Sequence, residues 1–116
     1  MDTSVWVSHL RQADKDLGTL LLEAEAMSHD FVIGELACGG LKNRKEILSL
    51  LQSLPRAPLV SQDELLYFIE NHSLNGMGIG FVDAHLLASA KLANIPLWTF
   101  DKKIKLVATK LSVLYL

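Results

Sequence analysis

Apolar residues recur at helical spacing along most of this chain, and short unbroken apolar runs punctuate them. "TSVWVSHLRQA" opens as a helix with Thr3 or Ser4 as its N-cap, and "KDLGTLLLEAEAM" continues in helical spacing, with Gly18 weakening only its first turn. "SHDF" reads as a short strand or turn leading into "VIGELACGGL", which Gly39 and Gly40 end. In "KNRKEILSLLQSL", Ile47, Leu48, Leu51 and Leu54 fall at helical spacing and Pro55 closes the segment. "PLVS" is a short strand candidate. Ser61 then caps "QDELLYFIENHSL", with Glu64 completing a capping box and Leu65, Leu66, Phe68 and Ile69 forming a core stripe. "NGMGIG" breaks the pattern, and "FVDAHLLASAKLAN" is a helix ending near Asn94. "PLWTF" has the look of a buried parallel strand, "DKKIKLVATKL" of a short helix and "SVLYL" of a final strand. Helices separated by short apolar strands predict one α/β domain with a mainly parallel sheet.

The acids change this picture. Asp83, Leu86, Leu87 and Ala90 share one helix face, the core-facing one, with Asp83 at its N-terminal end and His85 on a different side. A helix that follows a parallel strand starts at the sheet's carboxyl edge. Twelve helical residues run about 18 Å back across the sheet, and the five-residue strand returns about 16 Å. Asp101, directly after "PLWTF", therefore arrives at the edge where Asp83 starts. Asp2, just before a capped helix, fits the same edge. Glu35 has Phe31, Val32 and Cys38 as its helical neighbours, and no Lys or Arg lies within four residues of Asp2 or Glu35. An unpaired buried carboxylate is costly, so these acids call for a partner.

Each acid also has a plainer reading. Asp83 meets a helix dipole, Asp101 is an N-cap, Asp2 is terminal and Glu35 points to solvent. Taken together as a cluster, they suit a hard divalent cation, Mg²⁺ or Mn²⁺. Such a site activates water for displacement at phosphorus. Ser4 and Thr99 are the hydroxyls placed to orient a carboxylate or hold a water, or else are capping and strand residues.

Composition narrows the classes. A net charge of −2 argues against a generally basic nucleic-acid binder, but four metal-occupied acids would turn the balance positive. Positive charge gathers in "KNRK" (Lys42, Arg44, Lys45) and "DKKIK" (Lys102, Lys103, Lys105), as solvated helix faces or as phosphate contacts. The single cysteine, Cys38, excludes an internal disulfide and fits a reducing compartment. No apolar run is long enough to span a bilayer and the start does not read as a signal peptide, so the expectation is a cytoplasmic protein without membrane contact. His9, His29, His72, His85 and Cys38 have no zinc spacing. "NGMGIG" lacks the ending of a nucleotide P-loop, and Trp6 and Trp98 read as core anchors.

"DTSVW", "GELACGGL" and "GMGIGFVDAHLLASA…PLWTFDKKI" together resemble the PIN-domain ribonuclease toxins of the VapC family, from type II toxin–antitoxin systems, over nearly the whole chain and in order. The resemblance implies a three-layer α/β/α PIN-like domain over residues 1–116, with a central, mainly parallel sheet flanked by helices. It implies a Mg²⁺- or Mn²⁺-dependent endoribonuclease whose four acids fall on Asp2, Glu35, Asp83 and Asp101, with Ser4 and Thr99 at the nearby hydroxyl positions. RNA is the implied substrate, a cognate antitoxin and a second copy in a homodimer the implied partners. Family members usually carry a few apolar residues before the first aspartate, whereas here only Met1 precedes Asp2, which reads as a truncated first strand. That feature sustains a second reading, a catalytically weak or silent PIN-fold module that binds RNA or antitoxin. A haloacid-dehalogenase or receiver fold is disfavoured, because position 4 is Ser4 and no early acid pair is present.

Overall fold

The computed structural model describes residues 27–40 and 44–114. Nearly all of the two helices expected before Ser28 lie outside these residues, as do Asp2, Ser4, Trp6 and Lys42. Among the described residues there are five helices, α1 (Asp30–Cys38), α2 (Arg44–Ser53), α3 (Gln62–Asn71), α4 (Phe81–Ala93) and α5 (Lys102–Lys110). Their ends follow local chemistry. His29 caps α1 by accepting the Phe31 N–H on Nδ1, and Gly39 closes it. Ser61 and Glu64 form the expected capping box on α3. Asn94 ends α4 in the left-handed conformation (φ 54°), which asparagine tolerates better than most residues.

Helix α4 is the centre of the molecule. Every residue from Ala84 to Ala90 is buried, which explains the small-residue run "AHLLASA". Leu86, Leu87 and Ala90 join the main core with Val32, Leu51 and Val107, while Ala84 and Ala88 pack on Leu65 of α3 in a second cluster. Each fully buried Leu or Val contributes about 1.5–3 kcal/mol relative to exposure. The stripe expected on α3 is correct at Leu65 and at the half-buried Phe68 and Ile69. It is wrong at Leu66, which turns outward and is 53% exposed.

The strand expectations are met only at single residues. Two isolated parallel bridges, Ser28 with Arg56 and Leu97 with Leu114, are the β-pairing among the described residues. The Ser28 N–H donates to Pro55 O (2.9 Å) and the Ala57 N–H to Ser28 O (2.8 Å). This ladder stops because α1 begins two residues later, at Asp30. Pairing therefore falls at Arg56 rather than in "PLVS", which forms no bridge. "PLWTF" is not buried throughout: Leu97 and Thr99 are buried, Trp98 is half-buried and Phe100 is exposed. That alternation is the mark of a segment covered on one face only, and it makes Trp98 a flank of the core rather than an anchor within it. None of the described helices is long and apolar enough to cross a membrane.

Candidate functional site

The site is built at the N-terminal end of α4. Gly80 is the N-cap and offers no side-chain cap, so the helix's first N–H groups remain for other acceptors. Asp83 sits in the first turn, half-buried, and its carboxylate folds back over the helix start. A Cβ placed on Gly80 would stand 3.4 Å from Asp83 Oδ2. The helix dipole favours a negative charge at this point.

Asp101 is exposed and caps α5, its Oδ1 accepting the N–H groups of Lys103 (2.9 Å) and Ile104 (3.0 Å). Thr99, fully buried, accepts the Asp101 N–H on Oγ1 (3.1 Å) and so fixes the main chain that carries this carboxylate. The Lys103 side chain lies against Gly78, whose added Cβ would meet Nζ at 2.7 Å. The first turn of α5 thus touches the turn that leads into α4.

Glu35 is exposed on α1. The ring contacts of α1 show which way it runs. His29 Nε2 lies 3.1 Å from Ser89 Oγ. Two residues on, Phe31 packs edge-on against His85 (4.6 Å between centroids) and stacks with Phe81 (6.4 Å). Advancing along α1 therefore means moving back along α4 towards its first residue. Glu35, one turn beyond Phe31 on the same face, lies towards the Asp83 end. Of the four expected acids, Asp83 is in the first turn of α4, Asp101 caps α5 and Glu35 is exposed on α1. They do not form a chelate by themselves: among the described residues no group of three or more His, Cys, Asp or Glu side chains is placed to hold a metal ion. Asp2, the fourth acid, lies outside those residues, as do Ser4 and Lys42.

The basic residues separate into two kinds. Arg44 donates from Nε and Nη2 to Ala37 O (3.3 and 3.2 Å), so its guanidinium serves the C-terminal end of α1. Lys45, Lys102 and Lys103 are exposed. Two features escaped the sequence reading. One is the contact between Lys103 and Gly78, which depends on a turn conformation. The other is the ring group of buried His29 and His85 with half-buried Phe31; only the i, i+4 spacing of Phe81 and His85 hinted at it.

Burial lowers the pKa of both histidines below their ordinary 6.5; for His29, Asp30 opposes the shift and His85 adds to it. His85 Nδ1 is buried and has no hydrogen-bond partner among the described residues, where a proton added to it would be unsatisfied. Below about pH 6.5 the unfolded chain takes up protons that the folded chain resists, so stability is complete above that pH and is lost as pH falls towards the folded values. The urea midpoint is expected to fall between about pH 7.5 and about pH 5.5, and to fall less in His29→Asn, which keeps a capping acceptor. An equal pH response in both proteins would remove His29 from this account.

A family model described as PIN domain matches residues 1–110. Among curated proteins, Ribonuclease VapC32 of Mycobacterium tuberculosis is 45% identical over 114 residues, covering 97% of this chain and 92% of the relative, in both strain CDC 1551 / Oshkosh and strain ATCC 25618 / H37Rv. No solved structure matches the chain. A match of this extent by both routes means that the chain belongs to the PIN-domain family, with that family's α/β fold, and within it to the VapC group.

Proposed function

We propose that this protein is a divalent-metal-dependent endoribonuclease, the toxin of a toxin–antitoxin pair, built as a three-layer α/β/α domain around a mainly parallel sheet. The observation that carries the reading is 45% identity, across 97% of the chain, to relatives named as ribonucleases. The two parallel bridges and the helices around α4 agree with such a sheet. Asp2, Glu35, Asp83 and Asp101 form the catalytic set, and RNA lies across the end of the molecule where α4 begins. The cytoplasm, a cognate antitoxin that covers the site, and a homodimer complete the reading.

The donor set fits a hard cation: four carboxylates and no thiol or imidazole among them. Mg²⁺ or Mn²⁺ would supply the positive charge that activates water and stabilises an in-line displacement at phosphorus. The chain's own residues prepare the place. Asp101 commits Oδ1 to capping α5 and leaves Oδ2 uncommitted among the described residues. Thr99 holds the Asp101 main chain still. Asp83 places its carboxylate at a helix start, where the dipole favours negative charge. Lys45, Lys102 and Lys103, with Lys42, contact RNA phosphates, and Arg44 does so with the nitrogen that its helix-capping role leaves over.

A mixed total-RNA substrate incubated with Mn²⁺ and with EDTA tests this reading. Cutting that requires the metal supports it. The second reading is a PIN-fold module that binds RNA or antitoxin without cutting. RNA held intact at every Mn²⁺ concentration would select that alternative.

A further inference from the structure

Several cations of this molecule are committed to main-chain oxygens or to an acid. Arg44 serves Ala37 O, Arg56 serves Asp30 and Gln52 O, and Lys91 serves Leu111 O. Lys103 differs. Its stem lies flat on Gly78, where an added Cβ would stand 2.7 Å from Nζ, 3.3 Å from Cδ and 3.4 Å from Cε. The fit exists because position 78 has no side chain, and its φ of +76° is a conformation that glycine adopts freely. The Lys103 main-chain N–H is held by Asp101 Oδ1. Two residues beyond Gly78, Gly80 is the neighbour of Asp83 Oδ2. The Lys103 ammonium is therefore seated on the turn that leads into α4, yet among the described residues it makes no hydrogen bond or ion pair. An ammonium held on the turn that leads into α4, and bonded to none of the described residues, is available to an anion brought in from outside.

We infer that Lys103 is a phosphate-binding residue of the acidic site and that Gly78 is the positioning residue that seats it. The identification of the anion as an RNA phosphate rests on the ribonuclease reading above. Lys103 thus carries a definite role within the basic cluster, at a phosphate next to the reacting one, and it is the lysine of that cluster whose side chain is seated on the turn before α4.

The glycines provide an internal control. Gly76 has the same backbone strain to offer (φ +77°), but a Cβ there meets nothing within 4 Å. Gly76→Ala and Gly78→Ala therefore share the cost of a left-handed alanine, and only the second displaces the Lys103 ammonium. The experiment measures retention of a labelled mixed-sequence single-stranded RNA in EDTA across a salt series, together with cleavage in Mn²⁺. The proteins compared are the wild type, Gly76→Ala, Gly78→Ala, Lys103→Met and Lys103→Arg. Loss of one phosphate contact flattens the slope of log K against log salt by about 0.7. That flattening is expected in Lys103→Met and Gly78→Ala, with wild-type slopes in Gly76→Ala and Lys103→Arg. A merely structural tether would lower the unfolding midpoint without moving the slope. An unchanged slope in Lys103→Met, or identical slopes in the two glycine variants, overturns the inference even where the wild type cuts RNA. A Lys103-dependent slope in a chain that never cuts upholds the inference and rejects the ribonuclease reading. A wild type that neither holds nor cuts RNA rejects both.

Discussion

Asp83→Asn is expected to lower the rate of RNA cleavage by more than about 100-fold, because changes to the mere outer partners of a metal ligand already cost about 10–100-fold. The substitution keeps the shape of the side chain and removes its charge. Its structural cost is small, about 0.3–1 kcal/mol for a negative charge lost from the first turn of a helix. Asp101→Asn is the companion variant. Asparagine caps helices as well as aspartate does, so the hydrogen bonds to the Lys103 and Ile104 N–H groups survive while the charge goes. Both variants should therefore keep a urea midpoint close to that of the wild type. Cleavage at an undiminished rate in either would show that its carboxylate plays no part in the chemistry.

The largest effect on stability is expected at Leu87. This residue is fully buried in α4, the helix that both apolar clusters share. Leu87→Ala leaves a cavity and should cost about 2–5 kcal/mol, a large part of the roughly 5–15 kcal/mol that holds a domain of this kind together. Leu66→Ala provides the contrast. Leu66 is 53% exposed, and its truncation should change stability by no more than about 0.5 kcal/mol. Urea titrations of the two variants read this difference directly. Similar midpoints for both would mean that α4 is not the packing centre.

The helices were legible because their signals are local. The Ser61–Glu64 capping box, the glycine after Cys38 and the asparagine after Ala93 each act within one turn of chain, and each is found where the sequence placed it. Strand pairing depends on a distant segment. Ser28 finds Arg56 across 28 positions, and neither residue carries an apolar signature. "PLWTF" reads as continuously apolar, although its burial alternates, because Phe100 is an exposed apolar residue. The local setting of two acids was legible for the same reason: Asp83 is in the first turn of α4 and Asp101 caps α5, each as its own stretch of sequence suggests. Glu35 was placed by its apolar neighbours, and its exposure was not readable, because a nine-residue helix with Gly34 in its middle is weakly amphipathic. The seat of Lys103 was invisible for a deeper reason: it rests on a positive φ at Gly78 and on a contact between residues 25 positions apart.

The central claim is that Asp2, Glu35, Asp83 and Asp101 together hold divalent metal. The most direct measurement is an anomalous-scattering map from crystals of the protein grown in Mn²⁺. The account predicts a peak beside the start of α4, bounded by Asp83 and at least two of the other three carboxylates at about 2.0–2.3 Å. Ordered carboxylates at that end of the molecule, separated from one another and with no Mn²⁺ peak between them, would contradict it.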